Sequence, residues 1–227
     1  MLKNAAPSLH IKNISILIPM LQLTQLRKAY QGKVVLDIPS LLLDPGIFWI
    51  QGANGSGKST LLKIIAGMVP FEGDITLKGS SLRNSPLAYR QHISWAAAEP
   101  LYPPFMTGMD LIILYQRIRK VPQKEIDLLI ERFNVGNFIK GQASAYSAGM
   151  TKRLSLLLAF MGDPALIILD EPLTTLDTNS FTLISDLILE AWQKKNTSFL
   201  MSSHQEPDTN LLNAQRVLTV INQSIVL

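Results

Sequence analysis

Residues 47–68 read Ile47-Phe48-Trp49-Ile50-Gln51-Gly52-Ala53-Asn54-Gly55-Ser56-Gly57-Lys58-Ser59-Thr60-Leu61-Leu62-Lys63-Ile64-Ile65-Ala66-Gly67-Met68. The first four are apolar, aromatic and β-branched, the composition of a short buried strand. From Leu61, apolar residues recur at helical spacing through Met68, and Gly67 and Pro70 close the helix. Between strand and helix, Gly52 to Ser59 satisfies G-x-x-x-x-G-K-[ST]. Glycines let such a loop curl with its N–H groups inward, where phosphate oxygens meet the open N-terminus of the following helix. The motif therefore predicts a polyphosphate site built from Gly52, Asn54, Gly55, Ser56, Gly57, Lys58, Ser59 and Thr60. Lys58 is expected on the β- and γ-phosphates, and the Ser59 hydroxyl on magnesium.

Working outward, Met20 begins strand-like alternation through Leu21, Leu23 and Leu26, with a turn at Gln31-Gly32 and a second apolar segment from Leu36 to Leu43. Asp44-Pro45-Gly46 turns the chain into the decisive strand. On the other side, prolines at 100, 103 and 104 open a stretch with helical periodicity at Leu111–Ile118 and Ile126–Phe133, a helical lobe over about 101–155. The last third alternates again: a buried strand at Leu166–Leu169, a helix at Phe181–Trp192 and a strand at Ser198–Ser202. Strands joined by helices predict an α/β fold around a parallel sheet. Residues 1–19 fall outside this plan and read as a loosely held extension or the product of an upstream start codon.

Composition narrows the possibilities. The chain has 227 residues, 47% of them hydrophobic, enough for one large domain or two closely packed lobes. With no cysteine, there is no disulfide partner, thiolate metal site or cysteine nucleophile, and a reducing cytosol fits best. Apolar runs such as Leu154–Met161 are too short to span a bilayer. The net charge of +4 is unevenly spread: residues 1–153 hold 18 cations and 9 anions, residues 154–227 hold 3 and 8. Most of those charges read as solvated helix faces.

A phosphate loop alone does not separate a kinase, a small GTPase and a motor. The strand Leu166-Ile167-Ile168-Leu169 ends in Asp170-Glu171. Asp170 suits the magnesium side of the site, and Glu171 is the candidate base for the attacking water. Shortly before it stands Tyr146-Ser147-Ala148-Gly149-Met150, and shortly after it Leu176-Asp177; His204 follows the strand at Ser198–Ser202, and Tyr30 precedes the loop.

In joint order and spacing these segments resemble the nucleotide-binding subunits of ABC transporters, across residues 20–227. The resemblance implies a P-loop NTPase fold: a RecA-like mixed-sheet core, an antiparallel β subdomain and a helical signature subdomain. It implies ATP and Mg2+ as ligands, with Tyr30 stacked on adenine. It implies a head-to-tail homodimer or heterodimer, in which ATP lies between the phosphate loop of one subunit and Ser147 and Gly149 of the other. His204 would contact the γ-phosphate beside the catalytic Glu171 and Lys58, and Asp177 would couple the two sites. The partner is a separate transmembrane permease subunit, and the location the cytoplasmic face of a bacterial inner membrane. Leu101–Gly108 looks like the permease-docking segment of export-type members, so export is expected.

Two departures stand out. The family's Q-loop glutamine should fall near Ala98 in Ile93–Pro100, where only Glu99 offers a polar side chain after Ser94 and Trp95. The signature carries Ala148 and Met150 where glycine and glutamine are usual. A slow or asymmetric ATPase would follow, or a weakly catalytic partner subunit, against which Lys58, Asp170, Glu171 and His204 all weigh. Relatives that act on DNA or the ribosome carry long coiled coils, cysteine zinc sites or two such domains, none of which is present; no nucleic acid is expected.

Overall fold

The structure is a computed structural model that describes residues 19–172, 178–202 and 215–226. Residues 1–18 of the expected extension over 1–19, and the site residues Asp177 and His204, lie outside the described residues. Strand β1 (Leu21–Tyr30) turns at Gln31-Gly32 into β2 (Lys33–Leu43), followed by β3 (Ile47–Gln51) and helix α1 (Lys58–Ile65). Next come β4 (Glu72–Leu77), β5 (Ser80–Ser81), α2 (Pro86–Gln91) and β6 (Ile93–Ala96). Helices α3 (Gly108–Arg119), α4 (Gln123–Arg132) and α5 (Ala148–Phe160) form the helical lobe, and β7 (Leu166–Asp170), α6 (Thr178–Lys195), β8 (Ser198–Ser202), β9 (Gln215–Ile221) and β10 (Ser224–Val226) complete the order.

Two sheets result. One is antiparallel, with strand order β2-β1-β4-β5; the other has six strands in the order β10-β9-β3-β8-β7-β6. Every neighbouring pair in the larger sheet is parallel except β9 with β10, so the sheet is mixed. It divides two apolar cores. Ile47 and Trp49 of β3 face the core shared with the helical lobe, whereas Phe48 and Ile50 face the core under the antiparallel sheet and α1. Ile167 and Leu169 against Leu166 and Ile168 repeat this division on β7. Burial on both faces is why these strands read as unbroken apolar runs rather than as alternation. Each large side chain so buried contributes about 1.5–3 kcal/mol.

The antiparallel sheet, the central strands and the helices match the expected α/β architecture. Residues 72–77, 93–96, 215–221 and 224–226, outside the strands expected from the sequence, are also strands. β4 begins Glu72-Gly73-Asp74, poor strand formers, and is held by pairing with β1; β6 has four residues, too few for a period to show. Helix α5 also starts well before the apolar run at Leu154, because Ser147 caps it: its Oγ accepts from the Met150 N–H at 3.2 Å. At α3, Thr107 and Asp110 form a reciprocal capping box. Among the described residues, no helix is long and apolar enough to cross a membrane.

Candidate nucleotide-binding site

The loop leaves the C-terminal edge of the six-stranded sheet between β3 and α1. Gly52 has φ 152°, and a Cβ there would stand 2.7 Å from both the Val220 carbonyl oxygen and Ser56 Oγ. Gly57 has φ 106°, with side chains of Leu36 and Val35 at 3.1 and 3.2 Å from where a Cβ would be. At these two positions a side chain would displace the loop. Gly57 caps α1 and provides no side-chain hydrogen bond, so that helix presents its first N–H groups unblocked by a cap. Ser56 Oγ is buried with no hydrogen-bond partner among the described residues. A loop with open donors and an orphaned hydroxyl fits an anion of phosphate shape.

Lys58 crosses its own loop, its Nζ donating to the carbonyls of Gly52 at 2.7 Å and Ala53 at 3.1 Å. The ammonium thus sits in the cradle expected to hold phosphates, tying the curl together from inside.

The acid pair comes to this loop from 111 positions away. Asp170 is buried, and its Oδ1 accepts from Ser59 Oγ at 3.2 Å and from Ser202 Oγ at 2.6 Å. Glu171 has φ 47°, in the left-handed region that costs a non-glycine residue about 1–3 kcal/mol. Its N–H donates to the carbonyl and hydroxyl oxygens of Ser202 at 3.1 and 3.2 Å, which holds that turn. A cleft of about 480 Å³ is lined by Tyr30, Val35, Asn54, Gly55, Gly57, Lys58, Ser59, Thr60 and Glu171. Tyr30 is 47% exposed, and Lys28 Nζ lies 4.6 Å from the centre of its ring. Among the described residues no cluster of three or more His, Cys, Asp or Glu exists. One hydroxyl and one carboxylate, Ser59 and Asp170, suit an ion such as Mg2+ that takes its other ligands from phosphate and water.

The structure therefore gathers Tyr30, Asn54, Gly55, Gly57 to Thr60 and Glu171 around one cleft, with Asp170 bonded to Ser59. It does not bring Ser147 and Gly149 there: they stand at the N-terminus of α5 and are not part of the cleft's lining. Glu99 is exposed and also absent from the lining. Ser202 and Lys152 are polar residues of the site that pattern reading passes over. Ser202 is visible in the sequence only as a hydroxyl ending a buried strand; the register that sets it opposite Asp170 comes from the sheet order. Lys152 is buried, its Nζ bonded to the carbonyls of Ala97, Ala98 and Asp170. Burial pushes the Lys152 ammonium down to about 8, against the pull of Asp170 and Glu171.

Residues 39–174 match the family described as ABC transporter. The chain is 34% identical over 188 residues to the zinc import ATP-binding protein ZnuC of Wolbachia pipientis wMel, covering 82% of this chain and 73% of that protein. It is 30% identical over 194 residues to the uncharacterized ABC transporter ATP-binding protein YybJ of Bacillus subtilis (strain 168), covering 83% of this chain and 87% of that one. A solved structure described as the ATP binding subunit of an ABC transporter superposes with a TM-score of 0.80 over 91% of this chain and 88% of that chain. At 22% identity that likeness bears on the fold alone.

Proposed function

The chain belongs to the ABC transporter family, and on that premise we propose that it is an ATP-hydrolysing subunit that drives transport through a separate membrane permease, using Gly52–Thr60, Asp170 and Glu171. The observation that carries this reading is the meeting of Ser59, Asp170 and Ser202 beneath the phosphate loop, with Glu171 on the wall of the same cleft. Backbone N–H groups of the loop bind the phosphates, Lys58 leaves its own carbonyls for the β- and γ-oxygens, and Tyr30 offers its exposed ring to the base. Bound Mg2+ supplies charge neutralisation on the terminal phosphates. Ser59 and Asp170 hold that ion, and Glu171, pinned by Ser202, takes the proton of the attacking water.

Ser147 and Gly149 lie outside the cleft, which suits donors meant for the ATP of a second copy or a related subunit. In this reading two subunits close head to tail on ATP and part after hydrolysis. His204 contacts the γ-phosphate and Asp177 couples the two sites, as the family resemblance implies. For the permease contact we infer the segment Leu101–Gly108, where Leu101 is 93% and Phe105 74% exposed. Its likeness to export-type members makes export the direction proposed, with the cytoplasmic face of a bacterial inner membrane as the location.

The deciding experiment is Mg2+-dependent ATP turnover by the purified chain beside Glu171→Gln, with both run on a sizing column in ATP. Turnover lowered by about 10²-fold or more, together with an ATP-dependent dimer, supports the reading. Parental turnover in Glu171→Gln overturns the role of Glu171. A second reading, a weakly catalytic member of a heterodimer, draws on Ala98 in the place of a glutamine; ATP binding with neither turnover nor dimer would favour it.

A further inference from the structure

Lys152 lies on α5 about one turn beyond the Ser147 cap, and only 1% of its surface is exposed. An ammonium has three N–H donors. Here there are three acceptors, the carbonyl oxygens of Ala97 at 2.9 Å, Ala98 at 3.2 Å and Asp170 at 3.1 Å. These carbonyls sit where the neighbouring parallel strands β6 and β7 run out, beyond the last rungs of their ladder. Backbone groups at such a place need partners from elsewhere. Ala97 and Ala98 have no polar side chain with which to fasten themselves, and Asp170 and Glu171 are the acids of the cleft.

A second cation grips β6 at its other end. Arg119 of α3 donates to the carbonyls of Ile93 at 3.0 Å and Met161 at 3.2 Å and to Ser94 Oγ. The chemistry is alike, but Arg119 bonds no residue of the cleft. An apolar replacement of Arg119 leaves acceptors of the packing without a donor, which costs stability. An apolar replacement of Lys152 does the same to the backbone that sets the place of the acids.

We propose that Lys152 is a positioning residue for hydrolysis, a single ammonium that fixes the segment carrying Ala98 and the strand end carrying Asp170 and Glu171 to the helix capped by Ser147. It takes the place of a side-chain tether that Ala97 and Ala98 lack, and it leaves no donor over for the nucleotide. The inference rests on the roles given above to Asp170 and Glu171.

The test compares the full chain with Lys152→Met, Lys152→Arg, Arg119→Met and Glu171→Gln, by amide hydrogen exchange with MgATP bound and by turnover. Lys152→Met is expected to speed exchange over residues 97–100 by about tenfold while residues 52–60 stay at parental rates. Its kcat falls about tenfold or more with KM for ATP within about twofold, and Lys152→Arg recovers to within about threefold of the parent. Arg119→Met melts earlier and keeps parental exchange at 97–100. Parental exchange at 97–100 in Lys152→Met, a KM that rises in step with the loss of kcat, or the same profile in Arg119→Met each overturns the proposal. Should Lys152→Met fail to fold, Lys152→Gln, which keeps two donors, is read in the same window: about two- to threefold faster exchange supports it and parental exchange overturns it. Full turnover in Glu171→Gln would count against the reading of the acids, while the exchange result judges Lys152 separately.

Discussion

The phosphate-loop side of this molecule and the signature side around Ser147 are built from similar parts. Each is a helix N-terminus preceded by glycine or serine, and each presents backbone N–H groups. They differ in company. The loop before α1 has an acid pair and an aromatic ring brought to it by β7 and β1, beside its own Lys58, whereas the capped N-terminus of α5 is not part of that cleft's lining. One lines a cleft within the described residues; the other lies outside that cleft. The contrast shows why a helix N-terminus by itself says little: what surrounds it decides whether it binds.

The sharpest way to break this comparison is Lys58→Ala, which removes a charge-assisted donor and the stitch across the loop; ATP affinity should fall about 100-fold in a fluorescent-nucleotide titration. Gly52→Ala should cost about tenfold or more in the same titration, since the added carbon would press on the Val220 carbonyl. Removing the ring with Tyr30→Ala should weaken ATP by about tenfold and leave inorganic triphosphate unaffected, which separates base stacking from phosphate binding. On the signature side, Ser147→Ala should leave ATP binding by the isolated chain unchanged while lowering stability by about 1 kcal/mol in a denaturant melt. A loss of nucleotide affinity in that variant would erase the distinction drawn here. The smallest effect concerns α3, where hydrogen bonds from Thr107 hold the Asp110 carboxyl below its ordinary 3.8. A lowered folded value means that the capping box stabilises the lobe above the ordinary value and loses that contribution as acid takes pH below it. Thr107→Val should flatten that part of an acid melt without touching ATP affinity.

Much of this was legible in the sequence, for particular physical reasons. The loop, its strand and its helix are contiguous, so pattern and context could be read together. Asp170-Glu171 could be read because an apolar run buried on both faces ends abruptly in charge. β6 could not, since four residues give no period, and neither could the partnership of Asp170 with Ser59 and Ser202, which depends on sheet order. Lys152 was least legible. On a helix otherwise apolar from Leu154 onward it looks like an ordinary solvated charge, and only the convergence of β6 and β7 on it makes it a buried cation.

The placement of β3 has a consequence for how the protein comes into being. The strand that launches the phosphate loop is flanked by β8 and β9, and Gly52 lies against the carbonyl of Val220. Both supports are translated long after the loop itself has left the ribosome. A nascent chain that holds every residue of the glycine motif still lacks the walls that shape it until synthesis has passed Val220. A chain cut short before β9 is therefore expected to carry the motif without the walls that shape it.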